Sequence, residues 1–358
     1  MIAVFAGILR ALHGLMQTRY SPHVTLVSWH LLILVVRSYS GRENEGMVDP
    51  RVALVTGGTG FVGANLIRKL VNDGWDVHIV VRPGSDLGML ADIEQTIRVH
   101  VHDGSTEQLI EIVKFASPQI VFHLASLFLA QHTPQDIAPL INSNLLFSTQ
   151  LVEAMSVNGV PYLINTGTSW QHYENKDYSP VCLYAATKQA FEAVLAYYVD
   201  AAKLSAVTLQ LFDTYGPNDP RAKLFTLLRK TARSREPLLM SPGEQLIDIV
   251  YIDDVLAAYL LAAERLLQKR VGSHEIYAVT SGQPVKLRDL VETYGQITGQ
   301  PLAVEWGARS YRPREVMLPW NKGKVVPGWQ PKVELAAGIA LMEQQLLSPA
   351  TIVPTGGG

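Results

Sequence analysis

Residues 51–74 read RVALVTGGTGFVGANLIRKLVNDG, and the fold depends on how this stretch is parsed. Its first five residues form a short apolar run of strand character. GANLIRKLVND has helical spacing, and Gly74 supplies the stop signal. Between the two, Gly57, Gly60 and Gly63 follow G-x-x-G-x-x-G spacing. One glycine permits a tight turn, another lets the backbone approach a bound pyrophosphate, and the third lets helix pack closely on strand. The free N–H groups at the helix start, from Phe61 and Val62 onward, favour a phosphate. The spacing alone is weak, since a flexible turn uses glycine too. A strand before it and a helix after it favour a dinucleotide.

The rest of the chain repeats this pattern. WDVHIVV and TIRVHVHD (96–103) read as strands, TEQLIEIVKFA as a helix and QIVFHLA as the next strand. NSNLLFSTQLVEAMSVNG is helical, PYLINTG a strand, YAATKQAFEAVLAYYVDAAK a long helix and AVTLQLFD a strand. Such alternation predicts an α/β fold, a Rossmann-type doubly wound parallel sheet with right-handed crossovers. Beyond 215 the rhythm breaks in YGPNDPRAK, and DIVYIDDVLAAYLLAAERLL and HEIYAV read as a return to the sheet. The expected division is a dinucleotide-binding domain of 51–215 plus 247–280. A smaller, discontinuous C-terminal substrate lobe takes 216–246 plus 281–347.

Composition narrows the partners. The 358 residues are 48% hydrophobic and 17% charged with net charge -2, which is globular material with a large core. No Lys/Arg block is present, so no nucleic-acid partner is expected. The single cysteine, Cys182, cannot close an internal disulfide and fits a reducing compartment, so a cytoplasmic location is expected. The isolated histidines lack ligand spacing, and no metal site is expected. Residues 1–46 differ from the rest. VTLVSWHLLILVV (24–36) is apolar, but its 13 residues fall short of the roughly 20 that cross a bilayer. A membrane-associating segment, a signal-like leader and translated upstream sequence before a start at Met47 are the three readings. The last is favoured, because MVDPRVALVTGG begins as cytosolic dinucleotide-binding enzymes do. A membrane partner is not expected.

Two features bear on chemistry. The strand HIVVRPGS ends in Val81 and Arg82, without the Asp or Glu that NAD-selective enzymes place about 20 residues after the turn. Arg82 can pair with a 2′-phosphate, which favours NADP(H) and keeps NAD(H) open; an exposed strand-end arginine is the plain alternative. YAATK places Tyr184 and Lys188 at i and i+4 on one helix face. The ammonium is expected to lower the phenol from about 10 towards neutrality, for proton transfer to a carbonyl oxygen as hydride arrives. A surface pair is the bland alternative, and the position just after YLINTGTS argues against it.

From about 51 to 345 these residues resemble the extended short-chain dehydrogenase/reductase family of nucleotide-sugar epimerases and dehydratases. The resemblance rests on TGGTGFVGANL, Asp103 in VHVHDGS, VFHLAS (121–126), Asn144 in NSNLLFSTQLVEA, YAATK, LFDTYGPND (211–219) and GEQLIDIVYIDDV (243–255). INTGTSWQHY with LYAATKQAFE is similar to the CDP-abequose and CDP-paratose synthase group, which reduces the 4-keto group of a CDP-linked 3,6-dideoxysugar. The resemblance implies cofactor phosphates at the glycine turn, adenine at Asp103, and the cofactor along Leu124, Ala125 and Ser126 with Lys188 on its ribose. It implies Tyr184 as proton donor, with Thr166, or Thr168 as its rival, orienting the substrate carbonyl. Strand-end threonines bonding their own backbone are the alternative. Substrate contacts are expected from Asn144, Ser169, Asp213, Arg221, Arg312 and Arg314. Trp170, His172 and Tyr173 either line the sugar pocket or pack in the core, and His123 reads as structural.

Departures from the family pattern are informative. Its dehydratases follow the threonine with an Asp-Glu pair; counted from Thr166, those positions hold Gly167 and Thr168. Asp213 stands for the usual asparagine, where it is expected to repel a diphosphate, and Ile247 stands for the usual arginine. The implied activity is NAD(P)-dependent reduction of a keto group, at C4, on a nucleotide-linked deoxysugar. A nucleotide-sugar 4-epimerase with tightly bound NAD is the alternative. A homodimer is expected, since family members often pair two helices and KQAFEAVLAYYV (188–199) has the apolar content.

Overall fold

Strand β1 (Val52–Thr56) is buried from its second residue on, and helix α1 (Phe61–Asn72) follows the glycine turn. The helix buries Ala64, Ile67 and Leu70 at three-residue spacing, and Gly74, at φ +80°, carries the chain out of it. The computed structural model describes residues 51–234 and 236–347, so every expectation for residues 1–46 lies outside the described residues.

The chain continues through β2 (Asp76–Val81), β3 (Ile97–Val101), α2 (Thr106–Ala116) and β4 (Ile120–His123). Next come α3 (Ile137–Ile141), α4 (Phe147–Val157), β5 (Tyr162–Thr168), α5 (Leu183–Ala201) and β6 (Ser205–Leu211). After these lie β7 (Asp213–Tyr215), α6 (Leu224–Ser234), β8 (Leu238–Met240), β9 (Leu246–Ile247), β10 (Ile249–Tyr251) and α7 (Ile252–Leu267). The last elements are β11 (His274–Val279), β12 (Val285–Lys286), α8 (Leu287–Thr298), β13 (Val304–Trp306) and α9 (Leu335–Leu347).

Seven strands form one parallel sheet in the order β3-β2-β1-β4-β5-β6-β11. This is the doubly wound fold that the alternating pattern predicts. Helices α1 and α7 cover one face, burying Ile67, Tyr259 and Ala262, while α2, α4 and α5 cover the other with Leu109, Leu151 and Leu195. Winding outward in both directions from β1 and β4 leaves a crevice at their carboxyl ends, where such sheets bind ligands. Short strands outside the sheet pair among themselves: β7 with β10, β8 with β13 and β9 with β12. No described helix is long and apolar enough to cross a membrane.

One helix departs from its expected form. The segment read as continuous from Asn142 passes through a π turn, Asn142–Leu146, between α3 and α4. The wider turn directs Asn144 inward, onto the loop after β4. Such π segments often mark functional sites.

Candidate active site

The glycine turn sits at the crevice between β1 and β4. At Gly57, with φ +73°, a Cβ would stand 2.5 Å from Ala125 N and 2.6 Å from Leu124 C, so only glycine lets this turn lie against the β4 loop. A Cβ on Gly63 would collide with the Gly57 carbonyl oxygen. The third glycine therefore serves helix-on-strand packing. Gly60 caps α1 without a side-chain bond, and the first turn of α1 holds no acid. The N–H groups of Phe61 and Val62 thus open a helix end suited to an anion. Arg221 lies over the Phe61 ring at 4.7 Å, beside the turn, and is paired to Asp219 at 2.7 Å. These features fit a dinucleotide. Arg82 directly follows β2 and is exposed; Asp103 lies just past β3, accepting the Ser105 N–H at 2.8 Å. Val81 pairs with Val101, so the two residues share one edge of the sheet with the turn.

Gly57, Leu124, Ser126, Thr168, Tyr184 and Lys188 line one cleft of about 250 Å³ with Gly60, Phe61, Val62 and Gly63. Helix α5 places Tyr184 and Lys188 there, both buried. Thr168 and Ser126 line the same cleft as the phenol. Burial pushes Tyr184 above its ordinary range, Cys182 and Asp213 add to the rise, and the two hydroxyls oppose it. This corrects the expected lowering by Lys188: loss of water around the phenol dominates, and the group stays protonated at neutral pH. Burial pushes Lys188 down to about 8, with Glu192 opposing the fall. Phe128 stands edge-on to Tyr184 at 5.0 Å and tilted to Trp170 at 5.5 Å, an apolar wall that sequence reasoning missed.

Thr166 also lines this cleft, as does Thr168. Its hydroxyl donates to the His123 carbonyl at 2.8 Å and lies 2.7 Å from Tyr259 Oη, so it is held by the protein interior. His123 is structural, as expected: its Nδ1 meets Thr56 and its Nε2 meets Ser148, each at 2.8 Å. Asn144 is a correction of position. It is buried, its Oδ1 accepts the Leu127 N–H at 2.7 Å, and its amide donates to the Leu127 carbonyl and to Thr187, each at 3.0 Å. With its polar atoms so engaged, it fixes the Ser126–Leu127 loop rather than reaching a substrate.

The substrate side is continuous with this cleft through Ser169, Trp170 and Asp213, and opens to a cavity of about 420 Å³ lined by His172, Tyr173, Arg312 and Trp320. His172 stacks on Trp320 at 3.9 Å. Asp213 is paired to Lys223 at 2.9 Å, so the expected repulsion of a diphosphate is offset by a lysine that the sequence reading missed. Arg312 pairs with Glu315 at 2.7 Å and lies over Trp170 at 5.4 Å, at the cavity wall. Arg314 is not brought in: it donates to Ser179 Oγ at 2.7 Å and covers Tyr173 from outside these cavities. Counted from Thr168, the next two residues are Ser169 and Trp170, so the site still has no Asp-Glu pair there.

Residues 53–279, more than half of the chain, match the NAD dependent epimerase/dehydratase family. The chain belongs to that family. Membership makes it an enzyme that works with a nicotinamide dinucleotide. CDP-abequose synthase of Salmonella muenchen is 25% identical, over 81% of this chain and 96% of its own. UDP-glucose 4-epimerase of Mycolicibacterium smegmatis is 26% identical, over 80% and 96%. Among solved structures, the UDP-glucose 4-epimerase of Thermotoga maritima with UDP-glucose superposes with a TM-score of 0.71 at 26% identity, covering 83% of this chain and 99% of its own. MoeE5 in complex with UDP-glucuronic acid and NAD gives 0.69 at 25% identity, covering 83% and 99%. Epimerase/dehydratase family members of both kinds, synthase and epimerase, are thus similar along nearly their whole length.

Proposed function

We propose that this chain reduces a keto group, at C4, on a nucleotide-linked deoxysugar with NADPH, NADH being the second choice. The carrying observation is that Tyr184, Lys188, Thr168 and Ser126 line one cleft with the glycine turn, with no acid following Thr168. When bound, the nicotinamide supplies the hydride. Tyr184, kept protonated by burial, donates its proton to the carbonyl oxygen. Thr168 and Ser126 hydrogen-bond that oxygen and hold it beside the phenol. Lys188 stabilises the phenolate left behind and holds the ribose. The α1 N-terminus takes the pyrophosphate, Asp103 the adenine and Arg82 the 2′-phosphate. Arg221, Lys223 and Arg312 face the sugar's diphosphate, and Ser169 with the Trp170 and His172 rings bounds the sugar. Residues 216–246 plus 281–347 make up the substrate lobe. A 4-epimerase with retained NAD is the second reading, favoured by the epimerase likenesses.

The test uses NADPH or NADH with a panel of nucleotide-linked 4-keto-deoxysugars, following nicotinamide absorbance for the wild type and Tyr184→Phe. Oxidation that requires the keto-sugar and falls about 10²–10⁴-fold in the variant is expected. No oxidation with any member of the panel contradicts the reading. The preferred coenzyme tests Arg82.

A further inference from the structure

The loop after β4 runs Leu127-Phe128-Leu129, and its two leucines pack with Leu140, Tyr184 and Ala185. Phe128, between them, lines the Tyr184 cleft and an adjoining cavity of about 250 Å³. The backbone beside it is pinned, because Asn144 accepts the Leu127 N–H at 2.7 Å and donates to the Leu127 carbonyl at 3.0 Å. The Phe128 ring stands 5.0 Å from the Tyr184 ring, 5.5 Å from that of Trp170 and 5.5 Å from the Lys223 ammonium. Even with these neighbours the residue is 45% exposed. A single exposed apolar ring is ordinary on a protein surface. One fixed in a cleft beside the proposed proton donor offers its open area to whatever the cleft binds.

We propose that Phe128 is a specificity-determining residue, selecting a methylene or methyl group over a hydroxyl-bearing carbon on either side of the reacting carbonyl. The inference rests on the reading of this cleft as a keto-sugar site with Tyr184 as proton donor. The carbonyl oxygen has to meet the phenol, so the carbons flanking the carbonyl, with their substituents, are the part of the sugar brought to the Phe128 ring. A C–H or methyl group gains apolar contact there. A hydroxyl in the same place gives up water and finds no donor or acceptor on the ring. Lys223, over that ring, is already paired to Asp213 at 2.9 Å. An apolar wall rejects an added hydroxyl by about 10²-fold at most, which sets the size of the effect.

The test compares wild type, Phe128→Leu and Phe128→Asn on pairs of nucleotide-linked 4-keto-sugars that differ by one hydroxyl, on C3 or on C6. The readout is kcat/KM for each member of a pair. Affinity for the matching 4-hydroxy sugars is measured by calorimetry with NADP⁺ present, which needs no hydride transfer. Urea unfolding checks that both variants fold, as substitution of a half-exposed ring allows. Wild type is expected to favour the deoxygenated member of a pair by about 10–100-fold, Phe128→Leu to keep that preference and Phe128→Asn to lower it about tenfold. Equal treatment of the paired sugars by wild type overturns the inference. So does a preference that survives in Phe128→Asn, or one that falls as far in Phe128→Leu. A preference in binding while no keto-sugar is reduced removes the reductase reading and leaves Phe128 as the residue that selects the sugar. Failure to bind any nucleotide sugar refutes both.

Discussion

Thr168 and Thr166 both line the cleft with Tyr184, but the Thr166 hydroxyl is held between the His123 carbonyl and Tyr259. Thr168→Ala is therefore expected to lower kcat by about 10²–10³-fold with little change in KM, the usual loss of a transition-state hydrogen bond. Thr166→Ala should instead lose about 1–3 kcal/mol of stability by stranding buried partners, with turnover of the folded enzyme changed far less. Steady-state kinetics and urea unfolding of the two variants separate the roles, and equal kinetic losses would refute the assignment. Sequence could not rank the two residues. They stand two apart on one strand, so alternation puts both on the same face. Tyr184 and Lys188 were legible because helical i, i+4 spacing is local, whereas Lys223 reaches Asp213 from a loop with no periodic signal.

At the scale of the element, the turn between β1 and α1 is set by close approach. A Cβ on Gly63 meets the Gly57 carbonyl oxygen, so Gly63→Ala must push α1 off the strand. A loss of about 1–3 kcal/mol is expected, as for an overpacked core, together with weakened dinucleotide affinity. Gly74→Ala is the contrast: nothing lies within 4 Å of its Cβ, and only left-handed strain at φ +80° resists it. Its cost should be about 1–2 kcal/mol with cofactor affinity retained. Urea unfolding with coenzyme titration checks both, and unchanged affinity in Gly63→Ala would contradict the account. The turn was legible because its spacing follows from strand, turn and helix geometry. The π turn at Asn142–Leu146 was not, because Asn144 gains its bonds to Leu127 and Thr187 only in the tertiary structure.

For the whole molecule, alternation made the doubly wound parallel sheet legible, and the observed strand order puts the crevice at the carboxyl ends of β1 and β4. The pairs β8–β13 and β9–β12 were not legible, since strands of two or three residues carry too little pattern. The buried His123 couples this sheet to pH. Its folded value is depressed from 6.5 to about 3, so the unfolded chain binds the extra proton between those limits. Its contribution is complete above the ordinary histidine value and is lost as pH falls towards the folded one. Stability should therefore drop by up to about 1.4 kcal/mol per pH unit as the medium is acidified below that ordinary value. Urea unfolding at successive pH values reads this slope, and His123→Asn should flatten it. A wild-type slope that persists unchanged in His123→Asn would assign the effect elsewhere.

The most direct test of the reaction is isotope transfer. NADPH carrying deuterium on C4 of the nicotinamide, with NADH in parallel, is incubated with a nucleotide-linked 4-keto-deoxysugar, and the product is read by mass spectrometry and NMR. Reduction predicts one deuterium per product, at C4 of the sugar, matched by one coenzyme oxidised. An unlabelled sugar interconverted with its epimer, without net coenzyme consumption, would contradict the reductase and establish the epimerase.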